Sequence, residues 1–418
     1  MNTILLEEIS CTLDEGLIRV SCSVNAVGLP DILWFEIKGL SGYDSLTLSY
    51  NWAVVALLFP AMQRGDNIIV KGCVSERLHT NINNDLQLLL QVFQPSLRKI
   101  QVKPDTVTKE KILNTGRVGT GFSAGVDSFA TLQHFSEENA STSIEVTDIC
   151  TFNVGAMGRY ENPDVETVYD DYCKRTARYA GISGKNAICV NSNVDSFYRG
   201  LNFQKTHTFS NISAALVLEG YFDCYLYASS FPFKDTAVKE TYDCSYFDPV
   251  SLPMLSTENI TFMSAMAGIN RVDKTRLLVQ SQAAMQMLNV CVASAETREK
   301  LIKPNCSVCW KCQRTLITLE ALGIIDKFSS VFDLSVYKEE KCKFYRNLFF
   351  KMLDGDPLAK EAFYLAKKSG LKVQIRITDY IVGAGKKGLK SGNKTLKNIP
   401  FIKCFRLARK QRRLNKNF

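Results

Sequence analysis

Hydrophobic and polar positions alternate with a period of two over residues 17–24 (Leu-Ile-Arg-Val-Ser-Cys-Ser-Val), the pattern of a half-buried strand. Short β-branched or aromatic runs at 32–37 and 67–73, each bounded by Gly, Pro or Asp, predict two more strands. One helical stretch, 51–63, interrupts them. Residues 1–102 therefore read as a β-rich N-terminal domain, followed by a polar connector, Lys103-Pro104-Asp105-Thr106-Val107-Thr108-Lys109-Glu110. From about residue 116 the texture changes to strands alternating with helices. Strand-like runs at 117–122, 146–153, 187–190 and 224–228 are separated by helical patterns at 127–135, 164–180 and 211–219. Such alternation predicts right-handed crossovers and a parallel sheet, with ligands at the carboxyl ends of its strands. The loops after Phe122, Asn153, Val190 and Ala228 are thus the places to look for a site. Beyond residue 330 the pattern predicts helices at 337–353 and 357–368, a strand-like run at 372–382 and a basic tail. The domains expected are 1–102, 116–330 and 331–418.

Composition agrees with a globular chain. Its 418 residues, 46% hydrophobic and 22% charged, suit two or three domains and argue against disorder. The most apolar run, residues 52–60, is too short for a membrane span, and residues 1–8 lack the basic and apolar regions of a signal peptide. A cytoplasmic protein is the expectation. Of 14 cysteines, ten are scattered singly, among them Cys22, Cys150, Cys189 and Cys224, and read as reduced thiols acting as small hydrophobes. The net charge of +9 resides in residues 385–418, which carry twelve Lys or Arg and no Asp or Glu. That tail reads as a solvated terminus or, alternatively, as a contact for nucleic acid or another polyanion. His79 sits among polar residues and reads as a surface side chain.

The sharpest chemical signal is Gly119-Thr-Gly121-Phe122-Ser123-Ala124-Gly125-Val126-Asp127-Ser128. Small residues between a strand and a helix let backbone N–H groups approach a polyanion at the helix N-terminus. A P-loop needs a lysine that this segment lacks, and the imitation at 383–390 has Leu389 in the lysine position. The dinucleotide fingerprint is met formally by Gly119, Gly121 and Ala124, but the second strand ends Phe152-Asn153-Val154-Gly155, without the acid that holds the ribose. A purely structural glycine-rich turn is a further reading. Residues 123–128 resemble the Ser-Gly-Gly-x-Asp-Ser signature of the PP-loop ATP pyrophosphatase superfamily, with Ala124 replacing the first glycine of the pair. A methyl group there is tolerable while φ stays negative.

A second constellation, Cys306-Ser-Val-Cys309-Trp-Lys-Cys312 with Cys291 upstream, has the spacing of a metal site. Four thiolates around Zn²⁺ would fasten a loop and leave no open position; a 4Fe–4S cluster and coincidental thiols are the other readings. Together the two signals resemble the 7-cyano-7-deazaguanine synthase branch of the PP-loop superfamily over residues 116–325, including Gln313-Arg314-Thr315 after the last cysteine.

The resemblance implies a doubly wound, adenine-nucleotide alpha-hydrolase-like sheet with an added N-terminal domain and a C-terminal helical extension. It implies ATP cleavage to AMP and pyrophosphate, activating a small-molecule or protein-borne carboxylate for amidation or nitrile formation, and a structural zinc. Gly121, Phe122, Ser123, Ala124, Gly125, Val126, Asp127 and Ser128 would hold the pyrophosphate end, with Mg²⁺ near Asp127, directly or through water. Asn153 and Val154 would line the adenosine. Lys274 is either a phosphate contact or a solvated helix charge. His207 is either a capping-region side chain or a base or substrate contact. tRNA thiolation by PP-loop adenylation and a non-catalytic nucleotide-binding module of a larger assembly are the rival functions, and an oligomer is compatible with all three.

Overall fold

Period-two burial appears where the sequence alternates. In β2 (Leu17–Asn25) Ile18, Val20, Cys22 and Val24 are buried, while Arg19 between them is exposed. The computed structural model describes residues 2–40, 46, 49–111, 114–136, 138–139, 143–158, 162–293 and 295–371. It divides the chain into two units, Met1–Ala284 and Met285–Phe418.

The first unit is α/β. Its strands are β1 (Thr3–Asp14), β2, β3 (Ile32–Lys38), β4 (Asn67–Ser75), β5 (Val102–Thr108), β6 (Val118–Gly121), β7 (Asp148–Asn153), β8 (Asn186–Ser192), β9 (Cys224–Ala228) and β10 (Thr261–Ala265). Its helices are α1 (Asn51–Arg64), α2 (Glu76–Asn81), α3 (Gln87–Phe93), α4 (Val126–His134), α5 (Asp164–Ser183), α6 (Phe203–Leu216), α7 (Asp248–Met254) and α8 (Arg271–Leu277). All ten strands form one mostly parallel sheet, ordered β10-β9-β6-β7-β8-β3-β2-β1-β4-β5.

Within it β10, β9, β6, β7 and β8 are parallel neighbours. The chain starts this group at β6, builds outward to β7 and β8, then returns to lay β9 on the other side. A reversal of that kind opens a crevice at the carboxyl ends of the two strands that flank it, here β6 and β9.

Three expectations need correction. The N-terminal strands are not a separate domain, because β3 pairs antiparallel with β8 (Phe35 opposite Ser192, Ile37 opposite Val190) and continues the same sheet. One hydrophobic cluster accordingly runs from Phe35 and Trp52 to Val190, Phe209 and Tyr225. The polar connector is largely a strand, β5; it lies at the sheet's edge, where one face and one flank meet water and Pro104 is tolerated. Cys189 is not a free thiol: α5 packs on β8, and Cys173 and Cys189, with Cα atoms 6.0 Å apart, are joined as a disulfide. Cys22, Cys150 and Cys224 are free.

Helix α1 is buried on every side from Asn51 to Met62. Helices apolar all round belong in a core, and this one packs against α6. Among the described residues no helix is long and apolar enough to cross a membrane.

The helix α9 (Gln282–Met287) runs across the division between the units. The second unit holds α10 (Ala295–Glu299), the cysteine-bearing loop, α11 (Trp310–Ala321), α12 (Leu334–Leu353) and α13 (Pro357–Lys368). The strand-like run at 372–382, the P-loop imitation at 383–390 and the basic tail lie outside the described residues.

Candidate functional site

The turn after β6 is anchored before it begins. Phe122 N donates to Cys150 O (2.8 Å), prolonging the β6–β7 pairing, and its ring stacks on Tyr179 and meets Phe129 edge-on. From that anchor the chain must reverse into α4 within a few residues. It does so through Ala124 at φ 53, in the left-handed region, with Gly125 as the helix N-cap. The expectation of a negative φ at Ala124 is therefore corrected. Its methyl group is 1% exposed, so the surrounding packing sustains a conformation that non-glycine residues avoid.

Ser123 is exposed, and its Oγ accepts from Gly125 N (3.3 Å). Ser128, expected as a phosphate donor, is buried and donates its hydroxyl to Gly125 O (3.1 Å). Phe122 and Val126 are core side chains, and Gly121 is half-buried.

Asp127 stands at the first turn of α4 with two cations on its carboxylate. Arg271 Nη2 is 2.7 Å from Oδ2, and Lys274 Nζ is 3.4 Å from Oδ1. Lys274 is 1% exposed, which removes the solvated-charge reading; its ammonium also donates to Ser229 O (2.6 Å) and Ser229 Oγ (2.7 Å). Arg271 and Lys274 share a face of α8 because residues three apart on a helix are neighbours. Asn270 fixes the start of that helix, its Oδ1 accepting from Asp273 N. Lys274 is the one residue of this helix expected at the site; Arg-x-x-Lys after an Asn cap is the sequence signal for Arg271. Ser229 opens the loop after β9, one of the four loops to which the strand pattern points, so Lys274 links the strand-ends of β6 and β9 across the crevice.

Asn153 and Val154 are interior. Asn153 Nδ2 donates to Asn191 Oδ1 (2.8 Å), and Val154 is 2% exposed. Gly155 has φ +108, and a Cβ there would stand 2.9 Å from Asp195 Oδ1, so the loop after β7 closes tightly. His207 lies inside α6, whose N-cap is Asn202, so the capping reading fails. It is held by Tyr227, Asp243 and Ser245, none of them marked by a motif in the sequence. His79 is half-buried and bonded to Asn83 and Val102 O rather than free at the surface.

In the second unit Cys291, Cys306, Cys309 and Cys312 come together, with all four sulfurs within 4.8 Å of one another. Cys291 and Cys312 are buried; Cys306 and Cys309 are half-buried. A single tetrahedral ion at Zn–S of about 2.3 Å requires S···S separations of about 3.8 Å. The observed Cys306–Cys312 (3.9 Å) and Cys309–Cys312 (3.4 Å) separations bracket that figure. Backbone N–H groups point at the sulfurs: Cys306 N and Ala293 N at Cys291 Sγ (both 3.4 Å), and Cys309 N at Cys306 Sγ (3.2 Å). Donors of this kind favour the thiolate. The Cys291 thiol is pulled down to about 3, first by the Cys309 and Cys312 thiols and then by these amides. The Cys306 thiol is pulled down to about 6, first by Cys312. Ser307, at φ 59 and fully buried, follows Cys306 in the loop, and its Oγ accepts from Asp333 N (2.9 Å). The contacts among the thiols, that with Cys291 first, push the Cys312 thiol up, and the cluster as a whole offers four sulfur ligands to a metal ion.

Compared with protein-family models, curated proteins and solved structures, the chain matches none.

Proposed function

We propose that the protein is an ATP-dependent, adenylate-forming ligase of the PP-loop type, activating a carboxylate for amidation or nitrile formation in the manner of 7-cyano-7-deazaguanine synthases. The observation that carries this reading is the lysine-free turn at the β6–β9 crevice, with Asp127 clasped by Arg271 and Lys274. The helices α4 and α5 between β6, β7 and β8, and α6 and α7 between β8, β9 and β10, support a doubly wound sheet of the adenine-nucleotide alpha-hydrolase kind.

Two cations held beside a glycine-bearing turn suit the β- and γ-phosphates of ATP, and the N-terminus of α4 adds its partial positive charge. A carboxylate oxygen of the substrate attacks the α-phosphorus; the bond to the bridging oxygen breaks, and pyrophosphate leaves with that electron pair. Arg271 and Lys274 stabilise the charge that builds on the leaving group, which is where electrostatic preorganisation counts most. Mg²⁺ would supply further neutralisation of the phosphates. Asp127, with both oxygens facing cations, fits it through water better than as a direct ligand. For the four cysteines, sulfurs this close enclose one ion, which supports a structural zinc over the wider 4Fe–4S core.

The test is pyrophosphate release with analysis of the nucleotide product. AMP formed by the wild-type protein, and lost in Asp127→Ala, is the expected outcome. Equal, substrate-independent ATP turnover in both proteins rejects the reading.

A further inference from the structure

The carboxyl end of β9 separates two polar groups of opposite chemistry. On the α4–α8 side lie Ser229, Lys274, Arg271 and Asp127, all engaged in holding charge. On the α6 side lies a chain of phenol, imidazole and carboxylate. Tyr227 Oη is 3.2 Å from His207 Nδ1, and His207 Nε2 is 3.3 Å from Asp243 Oδ1 and 3.3 Å from Ser245 Oγ. Asp243 is itself fixed, its Oδ1 accepting from Ser245 N (2.9 Å). With a hydrogen on Nε2 directed at the carboxylate, Nδ1 is left to accept from the tyrosine hydroxyl; the partners assign this tautomer. Tyr227 as a residue is half-buried, and burial pushes its phenol well above the ordinary value. The segment that follows β9 and carries Asp243 also exposes Phe233 and Tyr242, each at 58%.

We propose that Tyr227, His207 and Asp243 form the proton relay for the second half of the reaction, in which a nitrogen nucleophile consumes the acyl-adenylate. This rests on the adenylation reading above. The nitrogen lone pair attacks the acyl carbon; the C–N bond forms, and the C–O bond to AMP breaks, AMP taking the electron pair as its phosphate oxygen. The proton that the nitrogen loses passes to the Tyr227 oxygen as the tyrosine's own proton passes to His207 Nδ1, and Asp243 holds the resulting imidazolium. Tyr227 is the catalytic residue, while His207 and Asp243 are positioning residues. The cation cluster on the other side of β9 has no base to offer, since its one carboxylate already faces Arg271 and Lys274.

The groups facing His207 are Tyr227 from β9, Asp243, Cys244 and Ser245 from the segment after it, Asp248 from α7, and the Phe203 ring on its own helix. Burial disfavours the imidazolium, but Cys244, Tyr227 and Asp243 outweigh it and raise His207 well above its ordinary value. Burial likewise pushes the Asp248 carboxyl up to about 7, and its Oδ1 accepts from Thr208 Oγ1 (2.8 Å). A raised imidazole is a stronger base that becomes available only at higher pH.

The experiment takes the full chain, ATP, a deazaguanine carboxylic acid as the carboxylate probe, and ammonia. ATP–pyrophosphate exchange reads adenylation, and amide formation reads the second half. Tyr227→Phe keeps the ring; the expected result is exchange within about twofold of wild type and amide formation down about 100-fold, the lower end for proton transfer by a positioned group. His207→Gln shows the same split, and the ratio of wild-type to variant rate climbs with pH on a limb above 6.5. Hydroxylamine, a stronger nucleophile that is neutral at pH 7, restores acyl transfer in both variants. The relay is overturned if the variants form amide at the wild-type rate across pH, or if exchange and amide formation fall together, which marks a structural role. No exchange by the wild-type protein sinks the adenylation reading first, and the relay with it.

Discussion

Asp127 is where charge, burial and chemistry meet. Its carboxylate is a counter-charge for Lys274, whose almost wholly buried ammonium also donates to the two Ser229 oxygens. Removing one partner of a buried pair leaves an uncompensated charge, whereas removing both need not. Asp127→Asn is therefore expected to lose about 3 kcal/mol of stability, the low end for such pairs because Ser229 remains. Asp127→Asn combined with Lys274→Met is expected to recover part of that loss while pyrophosphate release stays absent. Urea denaturation of the two variants checks the order, and a double variant less stable than the single one contradicts it. The loop's position was legible because strand, small residues and helix cap fall in immediate succession. Of the cations, Lys274 is legible as a candidate but its pairing with Asp127 is not, since α8 is far downstream of α4 in sequence, and the Arg-x-x-Lys spacing that signals Arg271 names no partner for it. Ala124 was legible as a departure but not as a strained one: its φ is set by the Phe122 anchor, which is a tertiary fact.

Between elements the same contrast holds in the second unit, where α11 and α12 are joined through one carboxylate. Glu320 accepts from Tyr337 Oη (2.6 Å) and Tyr345 Oη (2.9 Å) and pairs with Lys341. Burial acts to raise this carboxyl, but Lys341 and then the two hydroxyls outweigh it and hold it below the ordinary range. A lowered folded value contributes stability that is complete above the unfolded value of about 4.5 and is lost as pH falls through the folded one. Hydrogen exchange in peptides from 310–353 is expected to accelerate as pH falls below that point, after correction for intrinsic rates. Glu320→Gln is expected to remove this pH-dependent component; an unchanged acid response in that variant contradicts the assignment. Helix α13 and strand β9 were legible to the residue, the first from its Pro start and amphipathic face, the second from its apolar run. The first half of α6 was not, because Thr206-His207-Thr208 argues locally against a helix and only packing on α1 overrides it. β5 was hidden for the opposite reason: an edge strand needs little apolar sequence.

At the scale of the molecule, the pattern of the first hundred residues announced strands but not what they pair with. Pairing depends on an unfilled strand edge, and the edge that β3 fills belongs to β8, more than 150 residues away in sequence. Ser192 Oγ donates to Trp34 O, Trp34 N donates to Asn193 Oδ1, and Asn193 Nδ2 donates to Ile32 O, so side chains tie the two strands beyond their ladder. Tyr198 Oη reaches Ala56 O inside α1, and Glu219 accepts from Asn51 and Thr257 in the interior. With one sheet and one hydrophobic cluster, residues 1–102 have no core of their own to keep when the parallel strands unfold. The chain has three tryptophans, Trp34, Trp52 and Trp310, so Trp310→Phe leaves fluorescence reporting only on the N-terminal strands and α1. In urea, that fluorescence and the hydrogen-exchange protection of peptides from β6 to β9 are expected to be lost at the same midpoint. A fluorescence transition completed while those peptides remain protected would show that the N-terminal segment folds independently after all. Coincidence would mean that changes in the N-terminal core, such as Trp52→Ala, reach the β6–β9 crevice through global stability, lowering the proposed adenylation in proportion to the unfolded fraction.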